Sequence, residues 1–284
     1  EGELLLDRRD EASVPGERRG GRTADPALLA LGVLAAISIV LVGFYFLRGK
    51  VVAARDLVRD QLEAIASLKS QQVSDWRDDR VSEARILLQT SAVASDLAEF
   101  VTRPDSPKSR DRARGWMEPV RRARYDSVLV FNARAELLLS IPDSLDQGDR
   151  TPRPELERAF RSKDPIFGEL RREEGGKALL DLLVPIHPPQ GSVKALAVIV
   201  LRLDADRRLF PLVGTWPVRS TSAEALLVRR DGDAVVHLTP LRHSTQVGEL
   251  RLSANDPSLT SAIALGADPG VDEGLDYRGA PTLF

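Results

Sequence analysis

The sequence contains three histidines, His187, His237 and His243, and no cysteine. Metal binding or general acid–base chemistry would fall first to these histidines, but none stands in a spacing such as H-x-x-x-H beside a carboxylate. Each is predicted to sit in a loop or on a strand surface. The missing cysteines exclude disulfides, thiolate metal sites and thiol nucleophiles from this stretch of chain. No G-x-x-x-x-G-K-[ST], G-x-G-x-x-G or G-x-S-x-G run is present, so no phosphate cradle and no nucleophile elbow can be assigned. The acid–base runs Asp75–Arg80 and Arg171–Glu174 read as solvated faces. No catalytic residue, metal ligand or cofactor is expected here, and any catalysis would belong to a part of the protein beyond this segment.

Composition bounds the partners and the core. Forty basic against forty-two acidic residues leave a net charge of −2, so no global field argues for nucleic acid as a partner. The 43% hydrophobic content is enough for a packed core. The chain begins at Glu1 and stops at Phe284 within the apolar run Pro281-Thr-Leu-Phe, as a piece cut from a longer protein would.

The elements that must position any site begin with Ala27–Leu47, an uncharged apolar run. As a helix at about 1.5 Å per residue it covers the roughly 30 Å of a bilayer core, so a transmembrane helix is assigned to 27–47 and the lipid bilayer is a partner. Residues 1–26 mix Arg8, Arg9, Arg18, Arg19 and Arg22 with acids, Gly and Pro, a composition that favours disorder. Five arginines before the span and Arg48, Lys50, Arg55 and Arg59 after it give only a slight lean toward a cytoplasmic tail. The run is too long for a signal-peptide core and lacks a small-x-small cleavage site, so a retained anchor is expected.

From 48 to 100 the pattern is helical. Val51, Ala54, Val58, Leu62, Ile65, Leu68, Gln72 and Trp76 fall at spacings of three and four, one stripe down a stalk helix. The stripe suits either a coiled-coil seam to a second subunit or a face packed on the domain beyond. From about Trp116 the signals change to strands and turns. Ser127–Phe131 and Glu136–Ile141 form a hairpin across Asn132–Ala135. A loop with Pro142, Gly148, Pro152 and Pro154 leads to a short amphipathic helix at Leu156–Phe160. Then come Ile166–Leu170, a Gly175-Gly176 turn, Ala178–Ile186, a loop at 187–192 and the aliphatic run Ala195–Leu203. The unit is predicted to be α+β with an antiparallel sheet. After a connector at Asp204–Trp216 the hairpin recurs as Ala225–Val228 and Ala234–Leu238 around Asp231-Gly232, a strong turn signal. Leu275–Tyr277 and Pro281–Phe284 hint at later strands of this second module, which looks incomplete.

This layout resembles the double-Cache, PAS-like extracytoplasmic sensor regions of bacterial membrane receptors. Locally, Ile65-Ala-Ser-Leu-Lys-Ser-Gln-Gln-Val-Ser-Asp-Trp76 with Asp79, Arg80 and Ala84 is similar to the first helix of that family in sensor histidine kinases. So are Ala225-Leu-Leu-Val-Arg-Arg-Asp-Gly-Asp233 and Gly274-Leu-Asp-Tyr-Arg-Gly279. The resemblance covers about 48–284. It implies a membrane-distal Cache module at 101–210 and a truncated membrane-proximal one at 211–284. The globular part would be periplasmic or extracellular, on the inner membrane of a bacterium. It further implies small-molecule sensing as the input region of a two-component sensor histidine kinase, a homodimer, and a response regulator reached through a cytoplasmic part outside this segment. The alternatives are the input region of a diguanylate cyclase or chemoreceptor, or a membrane-anchored structural or interaction domain without a ligand.

In the resembling family a small ligand sits in the distal module, between the sheet and the loops and helix after the first hairpin. That region here holds Trp116, Arg124, Tyr125, Arg150, Arg153 and Asp181. Arginines beside an aromatic suit a carboxylate, because guanidinium is a planar fork that binds carboxylates in bidentate fashion. Amino-acid-binding members carry an Arg followed closely by Trp and Tyr, whereas Arg153 is followed by Pro154, Glu155 and Leu156. The resemblance therefore does not bring an amino-acid site to this chain, and leaves another small acid, or no ligand, as the alternatives.

Overall fold

The computed structural model describes residues 26–89, 91–143, 151–172, 176–188, 194–218, 220–244 and 249–284. The expected disordered tail, Arg150, Gly148, Gly175 and most of the 187–192 loop lie outside them. The chain packs as two units, one up to Leu57 and one over Val58–Phe284.

The first unit is the start of α1 (Pro26–Gln89). Leu31, Ile39, Val42 and Phe46 all stand exposed there. Within the described residues α1 is the one helix long and apolar enough to cross a membrane.

In the second unit α1 turns amphipathic. Leu62, Ile65, Lys69, Gln72, Val73 and Trp76 are half-buried, while Arg80 and Ala84 are buried. The expected stripe holds at Leu62, Ile65, Gln72 and Trp76 but not at Leu68, which is 47% exposed; Lys69 faces the fold beside it, its Nζ donating to the carbonyl of Leu212 at 2.7 Å. The long side chain lets its aliphatic stem pack while the ammonium reaches a carbonyl. The stalk is also not one helix to Phe100, since α1 ends at Gln89 and α2 (Ser91–Thr102) follows. Then comes α3 (Pro107–Arg124), where strand and turn signals were expected from Trp116. Gly115 and Pro119 read as breakers in sequence. Ser106 nevertheless caps the start, its Oγ accepting from the Ser109 N–H at 3.4 Å, and Ser109, Ala113 and Met117 at spacings of four are buried.

The first sheet contains β1 (Ser127–Asn132), β2 (Leu137–Ile141), β3 (Ile166–Phe167), β4 (Arg171–Arg172), β5 (Ala178–Ile186) and β6 (Ala197–Asp204), with α4 (Arg153–Arg161) between β2 and β3. Its order is β2-β1-β6-β5-β3, with β4 also on β5, and every pairing is antiparallel. The expected run Ile166–Leu170 is two short strands, interrupted at Gly168 and Glu169. β5 and β6 are buried along their whole length, which is why they read as continuous apolar runs. One sheet face packs on α1, α2 and α3 through Ala84, Leu97, Phe100, Val130, Leu182 and Ile199. The other packs on α4 through Leu129, Leu156, Phe160, Leu183 and Val200.

The connector 204–216 forms two short helices, α5 (Ala205–Arg208) and α6 (Phe210–Gly214). The second module follows with β7 (Val228–Asp231), β8 (Ala234–His237) and β9 (Leu250–Ser253) in one sheet, then α7 (Thr260–Ala264), and β10 (Glu273–Leu275) and β11 (Pro281–Leu283) in another. Gly232 takes φ +59° in the β7–β8 turn, the left-handed conformation a tight hairpin needs. His237 is buried, not on a strand surface as expected. Burial holds its imidazole below the ordinary value, and its ring meets Tyr277 edge-on at 6.1 Å.

Leu182 lies at the centre of the first sheet, fully buried. Leu182→Ala should lower unfolding stability by about 2–5 kcal/mol, the range for deleting a buried leucine side chain. Urea unfolding of the purified chain measures it, and a loss below about 1 kcal/mol would mean that this is not the packed centre.

Candidate functional site

The sheet face under α4 carries a row of polar groups in an otherwise aliphatic layer. In the register of the three central strands Arg202 stands between Ser127 and Asp181, and all three side chains are buried. Arg202 grips Asp181 with a two-pronged fork: Nε donates to Oδ1 at 2.9 Å and Nη2 to Oδ2 at 3.2 Å. Arg171, from β4, donates from Nη2 to the same Oδ2 at 2.8 Å. The Thr151 hydroxyl, just before α4, donates to it as well at 3.0 Å. Burial by itself would push the Asp181 carboxyl up. The hydrogen bonds and charge of Arg202, reinforced by Arg171, outweigh it and hold the group below its ordinary value. A carboxyl lowered in this way stabilises the fold above its unfolded pKa of about 3.9, and that contribution is lost as pH falls through the lowered value.

Glu155, in the first turn of α4, is the second acid of this face and is also buried. Its Oε1 accepts the Glu169 N–H at 3.0 Å. Its Oε2 has no hydrogen-bond partner among the described residues, and neither have Ser127 Oγ and Arg171 Nη1. Gly168 lies against it: a Cβ there would meet the end of the Glu155 side chain, which would have to move aside. Burial pushes Glu155 above its ordinary value, the Glu169 N–H opposing and the Asp181 charge adding to the shift. The linkage sign is opposite to that of Asp181: the favourable contribution holds at low pH and is lost as pH rises through the raised value.

Of the residues expected at a ligand site, Asp181 alone lies in this cluster. Trp116 is on α3, 39% exposed, and its Nε1–H donates to Asp96 Oδ2 at 3.0 Å. With Val93, Leu97, Met117, Val120, Val128, Ile199 and Leu201 it lines an apolar hollow of about 10 Å³ on the opposite face of the sheet, space on the order of one water. Tyr125 caps the C-terminus of α3 and is buried in that same core. Arg124 is 52% exposed and 3.5 Å from Glu83. Arg153 is 75% exposed on α4 and 3.4 Å from Glu157. Arg150 lies outside the described residues. Helix α3 explains the difference, since it delivers Trp116, Arg124 and Tyr125 to the side of the sheet away from Asp181.

Sequence reasoning passed over Thr151, Glu155, Arg171 and Arg202. A signal for Arg202 was present: Asp181 and Arg202 are each a lone charge inside a long aliphatic strand, and two buried opposite charges must find each other. Arg171 was read as part of a solvated run, and in that respect the structure corrects the sequence. Arg80, from the other such run, is likewise buried, 2.8 Å from Glu83. Among the described residues no group of three or more His, Cys, Asp or Glu could hold a metal ion.

The two β4 arginines point in different directions. While Arg171 enters the cluster, Arg172 donates to the carbonyls of Gly176 at 2.8 Å and Leu238 at 3.2 Å, and lies 5.6 Å over the Phe210 ring. From the second module Arg229 reaches back to Glu169 Oε2 at 3.1 Å and the Leu170 carbonyl at 3.2 Å. The same short strand therefore touches both the buried charges and the second module.

The sequence matches no protein-family model and no curated protein. Among solved structures the chain is similar to the ligand-binding domain of the Pseudomonas aeruginosa PAO1 amino acid chemoreceptor PctB in complex with L-Arg. The TM-score is 0.51 at 15% identity, over 80% of this chain and 86% of that one. It is also similar to the ligand-binding domain of the Pseudomonas fluorescens chemoreceptor CtaA in complex with L-serine, with a TM-score of 0.50 at 14% identity, over 81% of this chain and 89% of that one. The chain therefore shares the α+β fold of these two ligand-binding domains.

Arg202→Met, which leaves Asp181 with only Arg171 and the Thr151 hydroxyl as partners, should cost up to about 3–5 kcal/mol, and the double variant Asp181→Leu/Arg202→Met, which takes the carboxylate from Arg171 as well, should recover part of that loss. Urea unfolding of the two variants checks this. Equal losses in both would show that the pair is not mutually compensating.

Proposed function

We propose that the chain is the sensory input part of a membrane-anchored receptor, with a small-molecule ligand bound on the α4 side of the first sheet. The observation that carries this reading is the buried polar row itself. A fold that only needed a core would have no use for Ser127 Oγ, Glu155 Oε2 and Arg171 Nη1 buried with no partner among the described residues, since each such group costs free energy until something satisfies it. The likeness to two ligand-binding domains supports the same face of the argument at the level of fold.

The uncovered apolar part of α1 is then the anchor in the inner membrane of a bacterium, because a helix with large aliphatic side chains exposed on all sides is stable in lipid and not in water. The sheet modules lie outside the cytoplasm in this reading. The domain division follows from the same reading: a tail to 26, a span at 27–47, a stalk that begins at 48 and two Cache modules meeting near 210. A homodimer belongs to the proposal, supported by Leu57 and Leu68, which stand exposed on α1 about three turns apart. Signalling would start where a ligand changes the pairing of Arg171 with Asp181. The shift would pass along β4 to Arg172 and so to the second module. A ligand can bias such an equilibrium only by its differential affinity for the two arrangements.

Output through a histidine kinase of a two-component system, with a response regulator downstream, shares this front end with output through a chemoreceptor. The two solved relatives are chemoreceptor domains, so the chemoreceptor reading fits as well as the kinase.

A thermal-shift screen of the purified chain in detergent, against carboxylates, amino acids, amines and purines, tests the site. A ligand at a hundredfold excess over its Kd stabilises by about 2.7 kcal/mol. The shift should vanish in Arg171→Ala and persist in Arg153→Ala, whose side chain is solvated. A shift that survives Arg171→Ala would place the ligand elsewhere.

A further inference from the structure

Asp181 is a saturated acceptor. Oδ1 takes Arg202 Nε, while Oδ2 takes Arg202 Nη2, Arg171 Nη2 and the Thr151 hydroxyl. An incoming ammonium group would meet two guanidinium cations before it met a free lone pair, and in a buried site like charges repel strongly. What the cluster leaves open among the described residues is a cationic donor, Arg171 Nη1, and a carboxyl oxygen, Glu155 Oε2. The first attracts an anion, whereas the second repels one for as long as it is ionised.

The groups that act on Glu155 decide how this conflict resolves. Asp181 on β5 and Glu169, between β3 and β4, disfavour its charge, and Arg171 on β4 favours it. On its own helix Arg158 is turned away, donating to the Phe167 carbonyl at 3.0 Å. The sole hydrogen bond to the Glu155 carboxyl among the described residues comes from the Glu169 N–H. A second anion placed beside a buried carboxyl raises its proton affinity further. Once protonated, Glu155 becomes a donor to that anion instead of a repelling charge.

We propose that the first module takes up a small carboxylate together with one proton, with Arg171 Nη1–H and neutral Glu155 as its two donors. The proton comes from bulk water to a Glu155 carboxyl oxygen and returns there when the ligand leaves, so no bond other than O–H is made or broken. This inference rests on the ligand-binding reading above and names the ligand class and the condition for capture.

Calorimetric titration of the full chain in detergent with acetate, lactate and succinate, from pH 5 to 8, tests it. Above the titration of Glu155 the affinity should fall by about tenfold per pH unit, the limit for one linked proton. Runs in buffers of different ionisation heat should show uptake of one proton per ligand. Glu155→Gln, neutral at every pH, should bind across the range with a pH-independent affinity, matching that of the unaltered protein at the acid end of its profile. Should that variant fail to fold, proton uptake by the unaltered protein decides alone. Carboxylate binding without pH dependence or proton uptake overturns the inference and leaves ligand binding intact. So does binding of an amine or amino acid where no carboxylate binds. If neither these acids nor amines nor purines bind at any pH, both readings fall.

Discussion

Asp181 and Arg202 face each other across the two central strands of the first sheet, each buried and each held by the other. Either charge alone in that layer would be prohibitively unfavourable, and together they are tolerated because the fork geometry satisfies both oxygens. The pair therefore constrains far more than its own neighbourhood. A slip of β5 by one residue against β6 would turn Asp181 to the opposite face, where Leu180, Leu182 and Val184 pack against the long helices, and leave Arg202 behind without it. Such a pair contributes little net stability against an apolar replacement of the same shape. What it supplies is a single allowed register, and with it a fixed place for Ser127, Thr151, Glu155 and Arg171.

The two faces of this sheet divide the work. The face toward α1, α2 and α3 is apolar and packed, with a hollow the size of a water beside Trp116. It is suited to holding the sheet on its stalk. Among the described residues the face toward α4 mixes aliphatic contacts with compensated and uncompensated polar groups, and its cover is one short helix. A packed layer resists small changes, whereas a layer with alternative hydrogen-bond partners can switch between discrete arrangements.

Strand β4 joins this layer to the rest of the molecule. It is two residues long, so it has little ladder of its own to hold it still, and its side chains go to different places: Arg171 to Asp181, Arg172 to Leu238 and the Phe210 ring. Alternation across a strand is all that is needed to link two sites with adjacent residues. The Arg229 contacts to Glu169 and Leu170 close the same link from the other side.

Much of this architecture was legible in the sequence, wherever the physical signal is local. An apolar run of membrane length, the continuous aliphatic strands β5 and β6, the turn at Asp231-Gly232 and the first hairpin all follow from composition, spacing and turn chemistry within a few residues. Signals that depend on what lies opposite were misread. Helix α3 hides behind Gly115 and Pro119, Lys69 and Arg80 look like solvent residues yet face the fold, and Arg171 looks like one of a surface run. Of the site, Asp181 was visible as a charge in an apolar strand, but its partners come from β6, β4 and the start of α4, up to thirty residues away in sequence. The sequence by itself determined the layers, the strands and the presence of buried charge. Only the tertiary structure decided which charges meet and on which face, because pairing depends on register and on strand order, and neither is written in any one segment.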